Sequence, residues 1–146
     1  MRVLFCTSDS FTSRAIRAIT WSSFSHVAII DGAEVIEAVW PRVRVAPLVD
    51  VVEAHSRWAV VDFPCRDEAE AIAAVRSQIG KPYDLAGMLG LALNRDWQKD
   101  DKWWCSELAA LAAKAGGNDI YRDGVMHRIT PQHLWMLNYP VVRQLT

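Results

Sequence analysis

Asp31-Gly32, set between two apolar, β-rich runs, constrains the fold of this chain more than any other feature. Two residues of this type between such runs are the strongest short-range signal for a β-hairpin, here pairing residues 26–30 with 33–39. Residues 42–46 alternate charged with apolar and extend the series. Residues 1–6 and 58–63 are further strands, the second rich in Val and stopped by Pro64. Asp9 or Ser10 caps a short helix with Ile16 and Ile19 on its inner side and Arg14 and Arg17 outside. A helix runs from Asp67 through Ile79, with acids at its start and Gly80 just past its end. Lys81-Pro82 breaks the chain, and residues 83–93 predict a second helix or helical turn. A polar loop follows over 94–102. Asp100 or Asp101 precedes a third helix over 103–114, rich in Ala and Leu and ended by Gly116-Gly117. Thr130-Pro131 starts a last helical turn through Leu137. Strands come first and helices later, which argues for one α+β domain over 1–146 with an antiparallel sheet.

The balance of the chain excludes several classes. Of 146 residues, 51% are hydrophobic and 23% charged, the mixture of a globular domain rather than a disordered or fibrous one. Sixteen Lys and Arg stand against 17 Asp and Glu. A protein that binds nucleic acid normally shows a basic excess, so that class is disfavoured, with a local basic patch left open. The longest apolar run, residues 85–93, is far short of the ~20 residues that span a bilayer. The apolar stretch over residues 3–6 is too short for a signal peptide, which predicts a cytoplasmic location. Cys6, Cys65 and Cys105 are odd in number with no CxxC pair, so free thiols are expected.

Three residues carry a possible chemistry. A two-residue Asp31-Gly32 loop sets Ile30 opposite Ala33 and therefore His26 opposite Glu37, with Cβ atoms ~5 Å apart. A carboxylate there fixes the tautomer of an imidazole and raises its basicity, which is the base-and-orienter half of a nucleophilic triad. The plain alternative is two polar residues on a solvated face. Ala28, Ile30, Ala33 and Val35 share that face, and their apolar character weighs against it. Cys105 opens the helical run Cys-Ser-Glu-Leu-Ala-Ala-Leu, in a first turn whose free N–H groups and dipole favour a thiolate and an oxyanion. Cys6 and Cys65 lack that setting and read as buried small hydrophobes.

Other residues take plainer readings. His55, His127 and His133 fit no zinc spacing and read as surface or cap histidines. Asp84 is a helix cap, and Glu107 favours its helix N-terminus electrostatically. Of the seven tryptophans, Trp21, Trp40 and Trp104 flank the three residues in sequence and are candidates for walling a substrate groove, with core packing the alternative.

Ser25-His26-Val27-Ala28-Ile29, Val35-Ile36-Glu37-Ala38, Gly80-Lys81-Pro82-Tyr83-Asp84 and Trp104-Cys105-Ser106-Glu107-Leu108, in this order, resemble the circularly permuted papain-like group. More narrowly, the chain is similar to the YiiX/YaeF-type amidases of the NlpC/P60 superfamily. There, as here, the His strand precedes the Cys helix. The resemblance implies an antiparallel sheet or partial barrel packed against helices. It implies Cys105 as nucleophile, His26 as general base, Glu37 as the orienting residue and Tyr83 as a hydroxyl near the oxyanion. The implied function is a thiol hydrolase, an amidase or peptidase or an acyl-ester hydrolase, working through a thioester without metal or cofactor. Its substrate would be a peptide, an N-acyl amide or a lipid ester. An acyltransferase with the same triad, or a non-catalytic binding module with the same groove, are the alternatives. Many relatives that cut cell-wall peptides are secreted; for this chain such a role implies release by a phage or a lysis system.

Overall fold

The computed structural model describes residues 1–84, 102–122, 125 and 128–145. Its sheet has six strands: β1 (Arg2–Thr7), β2 (His26–Asp31), β3 (Glu34–Val39), β4 (Arg42–Pro47), β5 (Arg57–Asp62) and β6 (Val141–Leu145). The order across the sheet is β4-β3-β2-β1-β5-β6, and every neighbouring pair is antiparallel. The sheet is open, with β4 and β6 as edges, rather than closed into a barrel. Five helices accompany it among the described residues: α1 (Phe11–Thr20), α2 (Leu48–Glu53), α3 (Glu68–Arg76), α4 (Cys105–Ala115) and α5 (Pro131–Trp135). The architecture is α+β, as the order of elements predicts.

Alternation along the strands builds two cores. Val3, Phe5, Val27, Ile29, Ile36 and Ala38 face one way, and α3 and α4 bury Ala71, Val75, Leu108, Ala109 and Ala112 against them. Leu4, Cys6, Ala28, Ile30, Val35 and Val60 face the other way, under Val51 of α2. Period-two patterning on a sheet covered on both sides gives this division.

The hairpin departs from the expected register. Ile30 pairs with Val35 and Asp31 with Glu34, so the two-residue loop is Gly32-Ala33. Gly32 takes φ 62°, and Trp21 is the one non-glycine residue with positive φ among those described. That is the II′ pattern, with Gly first in the loop, whereas an Asp-Gly loop would be I′. Asp-Gly-Ala contains both possible pairs, and the Gly-first one prevails. A shift of two residues keeps every side chain on its face. His26 and Glu37 therefore remain on one face, as diagonal rather than opposed neighbours.

The helices begin close to where the sequence places them. Asp67 caps α3 by accepting from the Glu70 N–H at 2.9 Å, and Thr130 caps α5. Helix α3 ends at Arg76, and the chain reaches Gly80 through turns rather than helix. Tyr83 is not helical: it forms an isolated parallel bridge with Trp103. Residues 85–93 of the expected helix lie outside the described residues, as do Asp100, Asp101 and His127. Ser10 caps α1, its hydroxyl accepting from the Ser13 N–H at 3.2 Å. The face α1 turns inward is not the expected one. Ser13 is buried, whereas Ile19 is 44% exposed.

Candidate active site

The site forms where β2 begins, beyond the last β2–β3 ladder pair, Ile29 with Ile36. Helix α4 packs against both strands, and its first residue, Cys105, lies close enough to His26 to interact with the imidazole electrostatically. On its other side His26 Nε2 lies 2.8 Å from Glu37 Oε2. With Nε2 engaged by a carboxylate, Nδ1 is the nitrogen left for the thiol. The structure thus brings Cys105, His26 and Glu37 to one place, with His26 and Glu37 in direct contact.

Glu37 is 2% exposed and fully engaged. Its second oxygen, Oε1, accepts from Arg44 Nε at 2.9 Å and stands 2.8 Å from Arg44 Nη2. Burial pushes the Glu37 carboxyl up, but the hydrogen bonds and charges of His26 and Arg44 hold it below its ordinary value. Burial pulls His26 down, and this is outweighed by the Cys105 side chain, the hydrogen bond to Glu37 and the charges of both, which raise it to about 10. The imidazole accordingly keeps its second proton through neutral pH.

Sequence reasoning missed Arg44, although a signal for it existed. Trp40-Pro41 separates β3 from β4 as a two-residue connection. Val39 then faces Arg42 and Glu37 faces Arg44, the register the structure shows. Cross-strand opposition of unlike charges carried one step further along the sheet would have found it.

Tyr83 borders the same region, its backbone N–H donating to the Pro41 carbonyl at 3.0 Å. Burial, then the charges of Cys105, Glu107 and Asp84, push its phenol well above the ordinary value, so the hydroxyl keeps its proton. Glu107 is buried and does more than bias a helix dipole. It accepts from the Trp104 N–H at 3.2 Å, the backward half of a capping box, at the turn that carries Cys105. Burial and the charge of Asp84 push its carboxyl up to about 8 against that hydrogen bond. Asp84 is buried beside this turn, its N–H donating to the Trp103 carbonyl at 3.1 Å.

Two cavities meet at His26. One, of about 240 Å³, is lined by hydroxyl residues of the β1–α1 region with Trp40 and Tyr83. The other, of about 360 Å³, is lined by Arg44, Asp50 and the α2 segment. His26, Val39 and His55 line both. The His55 ring lies nearly parallel to that of His26, 6.2 Å between centroids, and its Nδ1 is 2.6 Å from the Val51 carbonyl. His133 is a cap residue, its Nδ1 accepting from the Thr130 N–H at 3.1 Å. The three tryptophans separate. Trp40 lines the smaller cavity, Trp21 lines neither, and Trp104, buried as the N-cap of α4, lines neither.

Among known proteins, no protein-family model and no curated protein matches this chain. A solved structure does: the crystal structure of the metalloprotein yiiX from Escherichia coli O157:H7. The two share 19% identity with a TM-score of 0.66, over 99% of this chain and 94% of that one. The fold is therefore YiiX-like. No group of three His, Cys, Asp or Glu side chains is placed to hold a metal among the described residues. Both Glu37 oxygens are already taken by His26 and Arg44. The described residues around His26 do not fit a metal.

Proposed function

We propose that this protein is a thiol hydrolase of the permuted papain-like, NlpC/P60-type group, cutting an amide or acyl-ester bond through a thioester on Cys105. The observation that carries this reading is the 2.8 Å contact of His26 with buried Glu37, set beside Cys105 at the head of α4, whose charge together with that of Glu37 favours a cationic imidazole. A cationic imidazole against the thiol favours the thiolate, which is the nucleophile. Thiolate sulfur attacks the carbonyl carbon, and the negative charge moves to the carbonyl oxygen. N–H groups of the first turn of α4 and the protonated hydroxyl of Tyr83 would stabilise that oxygen. As the tetrahedral intermediate collapses, His26 gives its proton to the leaving amine or alcohol, and the acyl group stays on sulfur. Water, deprotonated by the now neutral His26, then releases the acid. Glu37 holds the imidazole throughout, and Arg44 holds Glu37. An amine or alcohol in place of water gives an acyltransferase with the same residues.

The test needs no knowledge of the natural substrate. Alkylation by iodoacetamide, read at each cysteine by mass spectrometry, should run at pH 6.5 on the order of ten times faster at Cys105 than at half-buried Cys65. His26→Ala should abolish the difference. Because His26 keeps its cation up to about pH 10, the advantage persists through neutral pH and fades above it. p-Nitrophenyl acetate should leave a hydroxylamine-labile acetyl group on Cys105. Equal rates at the two cysteines, or indifference to His26→Ala, overturn the reading.

A further inference from the structure

Helix α1 is amphipathic in the wrong sense for a helix packed on a core. Phe11, Ala15, Ala18 and Ile19 fall on one stripe at helical spacing, and that stripe faces away from the sheet. Phe11 is 87% exposed, Ile19 44%, and Trp21 at the C-cap 89%. The buried side is polar instead. Ser13 Oγ lies 2.9 Å from Thr7 Oγ1 and 2.6 Å from Ser25 Oγ, and accepts from the Ser8 N–H at 3.1 Å. Hydroxyl contacts hold the helix down, and Phe11 and Ile19 of its apolar stripe are left exposed. Trp40, itself 71% exposed, lines the same cavity as Thr12 and Ile16 and continues the exposed aromatic surface towards His26.

The charges nearby lean positive. Residues 9–25 contain Arg14 and Arg17 against the single acid Asp9, in a chain whose overall charge is −1. Arg57 donates to the Ser23 carbonyl at 2.8 Å and adds a cation just past the end of α1. We propose that α1, with Trp21 and Trp40, docks this protein on an anionic lipid surface, lying in the interface with its apolar stripe inserted and exposed Arg14 at the headgroups. Phe and Trp beside Arg on a single helix is the pattern of an interfacial helix. A second copy would meet this face's excess of cations with the same excess, whereas an anionic surface neutralises it. No described helix is long and apolar enough to cross a membrane, so the attachment is peripheral. The inference does not depend on catalysis by Cys105.

Co-sedimentation of the whole protein with sucrose-loaded phosphatidylcholine vesicles, with and without phosphatidylserine, tests it. The protein should partition onto the anionic vesicles and less onto the neutral ones. Phe11→Ser with Trp21→Asn, a residue that tolerates the left-handed backbone there, should reduce partition by roughly tenfold or more. Arg14→Gln should reduce it about fivefold at low salt and less at high salt. Should the double variant fail to fold, the single Arg14→Gln variant decides alone. Absence of binding, or equal binding by wild type and variants, overturns the proposal. So does a wild-type dimer in light scattering that the double variant abolishes while vesicle binding is unchanged; that result assigns the face to a second copy.

Discussion

Helices α1 and α4 both reach the His26 site, yet they are held to the sheet by opposite physics. From Cys105 to Ala113 every residue of α4 except Leu111 is buried, Glu107 included, so close packing fixes where the thiol sits. Helix α1 buries Ser13 alone and is tied to β1 and β2 by hydroxyl groups. The apolar periodicity of α4 points at the core; that of α1 points at solvent. A sequence therefore shows that a helix has an apolar face long before it shows what that face meets. The contrast separates two duties: one helix delivers a reactive atom with packing precision, and the other presents a surface.

The contrast breaks most visibly if truncation hurts both helices alike. Leu108 is fully buried in α4, and Leu108→Ala should destabilise the fold by about 2–5 kcal/mol through lost transfer and cavity terms. Denaturant titration of the purified variant measures it. A loss under about 1 kcal/mol would mean that α4 is not fixed by packing, and that Cys105 is held in place some other way.

These two helices also show how much was readable in advance. Cys105 at the head of a helix, the hairpin that holds His26 and Glu37, and the antiparallel α+β plan all follow from local spacing and caps. What was not readable depends on tertiary choice. Asp-Gly-Ala supports two hairpin registers, and only the folded sheet selects the Gly-first one. Helix α2 is six residues long behind Pro47, too short for a periodic signature. Strand β6 is exposed along its whole length and so has no apolar alternation to find. For Trp104 the sequence left groove and core open, and burial as the N-cap of α4 is the core alternative. Arg44 was readable and was overlooked; Glu37 and its partner across β4 needed the second hairpin to be registered as carefully as the first.

A smaller effect sharpens the comparison from the α1 side. Ser13→Ala removes one hydroxyl that contacts Thr7, Ser25 and the Ser8 N–H. Leaving those buried partners short of a contact should destabilise the fold by about 1–3 kcal/mol. The change deletes no apolar surface, so the loss should appear without the cavity that Leu108→Ala creates. If Ser13→Ala is neutral, hydroxyl contacts do not anchor α1, and Ile16 would have to carry it.

The smallest expected change is the most discriminating. Phe11 is a large apolar residue at the first position of α1, and on composition alone its removal would be expected to damage a core. Its exposure argues otherwise: Phe11→Ser should leave unfolding free energy within about 0.5 kcal/mol of wild type. Such neutrality, beside a clear loss of vesicle binding in the Phe11→Ser, Trp21→Asn protein, would show that the apolar stripe is there for a surface outside the molecule. A destabilisation near that of Leu108→Ala would instead place Phe11 against the fold in solution. It would make α1 an ordinary amphipathic helix and remove the difference between the two helices on which the docking proposal stands.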